Sequence, residues 1–244
     1  MSDEQGIRLN KYLSEAGICS RRQADTIIEH GEVTIDGETA TLGSRVFSDS
    51  RVCYRGKPVK PLKKRIIYAY NKPLGLVCTS KEADRDSLFN HIDFPEKVNY
   101  VGRLDKASSG LLLLTNDGEL ANKIQKSVNN HEKEYFVRVN KDLTEDFIEK
   151  MSEGVPILDT VTKKCRVIKT GNRTFKIVLT QGLNRQIRRM CEALGYRVVH
   201  LKRVRVMNVV LGNLKPGEYR QVTGEEEMRL RKALEKDGNC VKFS

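Results

Sequence analysis

The chain contains no tryptophan, and aromatic residues make up only 6% of its 244 positions. Proteins that grip single strands on a broad stacking platform need more rings than this. Any base stacking here must rest on one or two Tyr or Phe side chains. The six cysteines (Cys19, Cys53, Cys78, Cys165, Cys191, Cys240) form no C-x-x-C pair, and the four histidines (His30, His91, His131, His200) are scattered. Zinc sites usually draw their ligands from close pairs, so no metal is expected. The thiols read as the reduced cysteines of a cytoplasmic protein. No apolar run approaches the roughly 18 residues of a membrane span. The polar start "MSDEQGIRLN" has no signal-peptide core, so a cytoplasmic chain, expected to be a monomer, is the reading. Internal repeats are absent too.

What the chain does have is positive charge. Lys and Arg number 44 against 32 acidic residues, a net charge of +12. That favours a polyanionic partner such as nucleic acid, although charge for solubility gives the same balance. The length suits one ordinary domain plus a small one. A hydrophobic content of 39% is adequate for a core.

The first segment predicts two short helices and a hairpin. Leu9, Tyr12, Leu13 and Ala16 repeat at helical spacing before Gly17. Ser20 suits the N-cap of a second helix carrying Ala24, Ile27 and Ile28 and closed by Gly31. "VTIDGETA" places Asp36-Gly37 between two strand-like runs, a type I′ turn signal. Arg8, Lys11, Arg21 and Arg22 fall on the polar faces, as ordinary solvated charges or as phosphate contacts. "RGKPVKPLKKR" (55–65), with six basic residues, two prolines and no acid, reads as a linker.

From Ile66 the chain is richer in strands. "IIYAY" and "GLVCTS" read as strands around the turn "NKPLG", "GLLLLT" as a fully buried strand, and "GELANKIQK" as a helix. "EYFVRV" is a further strand, and "LTEDFIEKMSEG" a helix capped by Thr144 and stopped at Gly154. "CRVIKTGNRTFKIVLT" is a hairpin turning at Gly171-Asn172. A helix runs from Asn184 to a stop at Gly195, and "YRVVHLKRVRVMNVVLG" supplies more strands. Without βα alternation the class is α+β, with a mixed, mainly antiparallel sheet. The boundaries are 1–55, a linker at 56–65, a second domain at 66–235 and a frayed tail at 236–244. No DNA-recognition helix of convincing form is present.

Two stretches carry chemistry. In "YVGRLDKASSGLLLLTNDGEL", Asp105 lies between Arg103 and Lys106, ahead of four leucines. It is either a loop salt bridge, contributing about 0–1 kcal/mol, or a reactive carboxylate at the lip of a sheet. In "NRQIRRMCEALG", Ile187, Cys191 and Leu194 form an apolar stripe while Arg185, Arg188 and Arg189 crowd the first turn. Cations are disfavoured at that end of a helix, so an anion should meet them. A solvated basic face is the plain alternative.

"RLNKYLSEAGICSRRQAD" resembles the S4-type RNA-binding module, a likeness covering about residues 7–55. "NKPLG", "GRLDKASSG", "HEKEYFV" and "GLNRQIRRMC" together resemble the pseudouridine synthases of the RsuA/RluB/RluF branch, over nearly the whole chain. "NNHEKEYFV", "GVPILDTVTKKC" and "GLNRQIRRMCEALGY" look most similar to the RluF group. The resemblance implies isomerisation of uridine to pseudouridine in large-subunit ribosomal RNA, by base flipping and without a cofactor. It implies that Asp105 attacks the nucleoside. Arg103 would help extrude the base, and Tyr135 would stack on uracil and take part in proton transfer. Arg188 would pair with Asp105, while Gln186 and Ile187 line the substrate site. Lys106 and Arg185 would contact phosphates, as would Arg8, Lys11, Arg21 and Arg22 in the S4-like module. Another RNA substrate (a tRNA anticodon loop or small-subunit rRNA), or a non-catalytic RNA-binding protein, are the competing readings.

Overall fold

The computed structural model describes residues 6–60, 65–79, 84–126 and 130–239, with side chains to residue 235. The chain forms two compact units, residues 1–65 and 66–244.

The first unit opens with β1 (Ile7–Arg8), α1 (Leu9–Glu15) and α2 (Arg21–Glu29). Ser20 begins α2 with a complete capping box, its hydroxyl accepting from the Gln23 amide. β2 (Val33–Ile35) and β3 (Glu38–Thr39) form the expected hairpin, with Asp36 and Gly37 both at positive φ (55° and 94°). β4 (Arg45–Val46) pairs with β1, and β5 (Val52–Tyr54) with β2. Leu9, Leu13, Ala24, Ile28, Val33 and Val52 make the core. The linker expectation needs correction, because β6 (Lys57–Pro58) pairs with β5 and Val59 is buried in that core. The Tyr12 hydroxyl donates to the Val59 carbonyl at 3.0 Å, which fastens this stretch to the unit. Residues 61–64 of the basic run lie outside the described residues.

The second unit is built on one large sheet. Its elements in chain order begin with β7 (Ile67–Lys72), β8 (Asn99–Val101), β9 (Ser109–Thr115) and α3 (Gly118–Gln125). β10 (Lys133–Val139), α4 (Glu145–Glu153), β11 (Pro156–Ile157) and β12 (Thr160–Val161) follow. β13 (Arg166–Gly171), β14 (Thr174–Leu179), α5 (Gln186–Ala193) and β15 (Val198–Val206) come next. β16 (Val209–Val210), β17 (Tyr219–Gln221) and α6 (Gly224–Asn239) complete it. The strand order is β13-β14-β10-β15-β9-β7-β17, with β16 added to β15 and β8 to β9. The β15–β9 contact is parallel, whereas the other pairs are antiparallel.

Both faces of the sheet centre are covered, which is why β9 reads as four consecutive leucines. Leu111 and Leu113 pack with Ile67, Leu120, Ile124 and Leu230, while Leu112 and Leu114 pack with Tyr68, Tyr70 and Leu88. A separate core under β10, β14 and α5 joins Val137, Phe175, Ile177, Met190 and Cys191 to Phe147 and Met151 of α4.

Four expectations shift. Residues 75–79 of "GLVCTS" form no strand and make only an isolated bridge, Val77 to Ser87, while Ser80 lies outside the described residues. The backbone there is diverted because the wholly buried Lys72 ammonium donates to the carbonyls of Pro73 and Leu76, both at 2.8 Å. The hairpin turns at Asn172-Arg173, since Gly171 pairs with Thr174 past a register shift. α5 begins at Gln186 because Arg185 takes a left-handed φ of 50°. The tail is helical to Asn239, and residues 240–244 lie outside the described residues.

Candidate active site

The Asp105 loop links β8 to β9. Gly102 turns at φ 71°, and Leu104 is buried with Tyr68 and Leu112. Sinking Leu104 turns its neighbours Arg103 and Asp105 outward, and both are exposed. The Ser108 amide donates to the Asp105 carbonyl at 2.9 Å, closing the turn. The Gly75 amide donates to the Lys106 carbonyl at 2.9 Å, so the segment around Lys72 supports the loop from beneath.

The loop salt-bridge alternative fails on geometry. Lys106 pairs with Asp86 at 2.5 Å, and among the described residues Asp105 has no ion pair within 4 Å. Lys106, expected to contact a phosphate, makes an exposed surface pair with Asp86 in this structure.

Arg188 departs from expectation as well. It is buried, and it makes no direct ion pair with Asp105. Its Nη2 donates to the Ala107 carbonyl at 2.7 Å and to Ser108 Oγ at 3.4 Å, while Nη1 reaches the Val198 carbonyl at 3.5 Å. Arg188 therefore braces the back of the Asp105 loop against α5 and β15. Burial lowers its pKa first and Arg185 adds to that, while the nearby Asp105 charge pulls it back up.

A cleft of about 400 Å³ brings most of the remaining candidates together. Arg103, Asp105, Tyr135, Arg185, Gln186 and Ile187 line it. Tyr135 packs against the cores on both sides, bridging the two halves of the sheet. Ile187 is buried and supplies an apolar wall. Gln186 is buried and acts mainly as a cap, its Oε1 accepting from the Leu183 amide at 3.1 Å. Arg185 is exposed at the head of α5.

The sequence reading missed three cations. Lys133 and Arg203 line the cleft, so Asp105 is a single carboxylate among four cationic residues there. Lys72, beneath the loop, has its pKa lowered by burial and opposed by Cys78 and Asp105. All three sit inside segments quoted for other features: a turn, a strand start and an alternating basic strand. Helical or strand periodicity gave no hint that they converge.

On the first unit Arg8, Arg21 and Arg22 are exposed, whereas Lys11 lies 3.8 Å from Glu15. Arg21 also approaches Asn10 Oδ1 at 3.4 Å.

The model of the RNA pseudouridylate synthase family matches residues 66–193, and that of the S4 domain matches residues 7–52. The chain is 48% identical over 244 residues to the dual-specificity RNA pseudouridine synthase RluF of Escherichia coli (strain K12), covering 99% of this chain and 84% of that protein. It is 34% identical over 241 residues to the ribosomal large subunit pseudouridine synthase B of Vibrio cholerae serotype O1, covering 93% and 75% respectively. A crystal structure of a pseudouridylate synthase aligns with a TM-score of 0.67 at 27% identity, covering 93% of this chain and 100% of that one.

Proposed function

The chain belongs to the RNA pseudouridylate synthase family, and from that premise we propose that it isomerises uridine in large-subunit ribosomal RNA with Asp105 as nucleophile. The observation that carries the reading is the meeting of Asp105, Arg103, Tyr135 and Ile187 around one cleft, on elements far apart in sequence. The cleft's size suits a single nucleoside and not a duplex, so the target base must leave its stack, at a cost of a few kcal/mol. Arg103, exposed beside the nucleophile, occupies the place the base vacates. Tyr135 stacks on the uracil ring, and its hydroxyl assists a proton transfer.

The chemistry is balanced within the substrate. The C1′–N1 bond breaks as the Asp105 carboxylate bonds to C1′; C5 then displaces that carboxylate to form the C1′–C5 bond, the C5 hydrogen leaves as a proton and N1 takes one up. The oxidation level is unchanged, so the reaction calls for no redox cofactor. The chain's own residues extrude the base, hold it beside Asp105 and keep water out with Leu104 and Ile187.

The S4-like unit supplies phosphate contacts through Arg8, Arg21, Arg22 and, less directly, Lys11, fixing position without reading sequence. The enzyme works as a cytoplasmic monomer. The 48%-identical relative is a dual-specificity enzyme, which favours a second RNA substrate for this chain.

Pseudouridine mapping of total RNA from a strain lacking the gene tests the target. A large-subunit site should disappear, return with the wild-type gene and stay absent with Asp105→Asn. Loss of sites only in small-subunit RNA would contradict the proposed substrate.

A further inference from the structure

β15 contains the run Lys202, Arg203, Val204, Arg205, Val206. A regular strand would place Arg203 and Arg205 on one face. A register shift interrupts the pairing with β10, so Glu134 faces Arg205 while Tyr135 faces Arg203. Val204 is the extra residue of a β-bulge, a feature that re-aims side chains near active sites. Arg205 stays on one face, donating to Glu134 at 3.0 Å and Glu132 at 2.9 Å. Arg203 is turned to the Tyr135 face, where it lines the cleft and is 3% exposed. Its Nε donates to the Leu111 carbonyl at 2.7 Å, but its buried Nη2 has no hydrogen-bond partner among the described residues.

Lys133, two residues before Tyr135 and on the same strand face, lines the cleft too, its Nζ reaching the His131 carbonyl at 3.3 Å. Burial lowers its pKa, and Arg203 lowers it further. A buried cation with an unmet donor, beside a second, half-buried one, is costly until an anionic or strongly polar group arrives.

We propose that Arg203 and Lys133 hold the negative charge that gathers on the detached uracil. Breaking C1′–N1 sends that bond's electron pair to N1, from which it spreads to the O2 and O4 carbonyls. The pair is consumed when C5 bonds to C1′, the C5 proton departs and N1 is protonated. Preorganised donors aimed at such transient charge are the strongest catalytic devices available to a buried site. The inference rests on the reading of this cleft as the place of reaction.

The test is single-turnover pseudouridine formation by the full chain at saturating RNA, followed by proton release from C5. Arg203→Met and Lys133→Met should each slow the step about a hundredfold or more, with RNA affinity changed little. Arg203→Lys and Lys133→Arg, which keep the charge, should recover part of that rate. Arg203 acts on Lys133 directly and the His131 carbonyl accepts from it, Asp105, Arg103, Arg185 and Tyr135 line the same cleft, and Glu132 and Glu134 are engaged by Arg205. The required form of Lys133 is the cation, and its pKa is lowered. The rate at subsaturating RNA should therefore fall with rising pH at a lower pH than an ordinary lysine gives. Lys133→Arg should move that alkaline limb upward. Weakened RNA binding with a shallower salt slope and an unchanged saturated rate would overturn the proposal in favour of a phosphate contact. Wild-type turnover in these variants while Asp105→Asn is inactive would remove the inference and leave the site reading standing.

Discussion

Leu104 decides what its two neighbours can do. With its side chain sunk among Tyr68, Leu112 and Leu114, the flanking Arg103 and Asp105 turn outward and line the cleft. The tripeptide was therefore legible once the leucine was read as an anchor. Who pairs with whom was not, because Lys106 finds Asp86 and Arg188 finds the Ala107 carbonyl at separations no local pattern encodes. Arg188→Met should act through the loop it braces. Losing hydrogen bonds from a charged donor to backbone carbonyls costs about 1.5–3 kcal/mol of stability. The catalytic rate should fall at least tenfold while RNA affinity holds, measured by single-turnover kinetics beside denaturant unfolding. An unchanged rate would mean the brace is irrelevant to Asp105. Tyr135→Phe should keep the stacking and lose only the hydroxyl's share, whereas Tyr135→Leu should lose both. Equal, wild-type rates for the pair would exclude Tyr135 from the reaction.

At the scale of elements, the contact between β9 and β15 is the one that brings Asp105 and Arg203 together. Those strands run parallel, with Arg203 opposite Gly110. A Cβ on Gly110 would lie 2.2 Å from the Arg203 carbonyl oxygen, and its φ of 102° is open to glycine alone. Gly110→Ala should therefore cost more than about 2 kcal/mol, seen as a lower denaturant midpoint, and should lower activity by displacing Arg203. A variant as stable and active as wild type would show that the strands separate at no cost. Sequence patterning found β9, α4 and the Asp36-Gly37 hairpin because each follows one regular period or cap. It placed Arg203 on no particular face, because a bulge at Val204 cancels the period-two rule there. It lost "GLVCTS" for a similar reason, since a buried lysine outweighs β propensity in that turn.

The whole molecule divides its labour between an S4-like N-terminal unit and a catalytic sheet with its own cores. Removing residues 1–65 should leave a folded enzyme unit with weaker RNA binding. Its salt dependence should be shallower by roughly 0.7–0.9 in logarithmic slope for each phosphate that is no longer neutralised. An unchanged slope would show that Arg8, Arg21 and Arg22 do not touch RNA during catalysis. The α+β class and the two-unit plan were readable from composition, spacing and resemblance. The inclusion of Lys57–Pro58 in the first unit's sheet was not, because a Pro-punctuated basic run looks the same whether it pairs or spans a gap.

The central claim is that Asp105 is the group that attacks the nucleoside. Asp105→Asn preserves the side chain's size and removes its charge, and this carboxylate has no ion pair within 4 Å to disrupt among the described residues. Single-turnover conversion of a large-subunit rRNA fragment, with RNA affinity measured in parallel, tests it most directly. A nucleophilic Asp105 predicts no detectable pseudouridine from the variant at unchanged affinity; conversion within tenfold of wild type would contradict it.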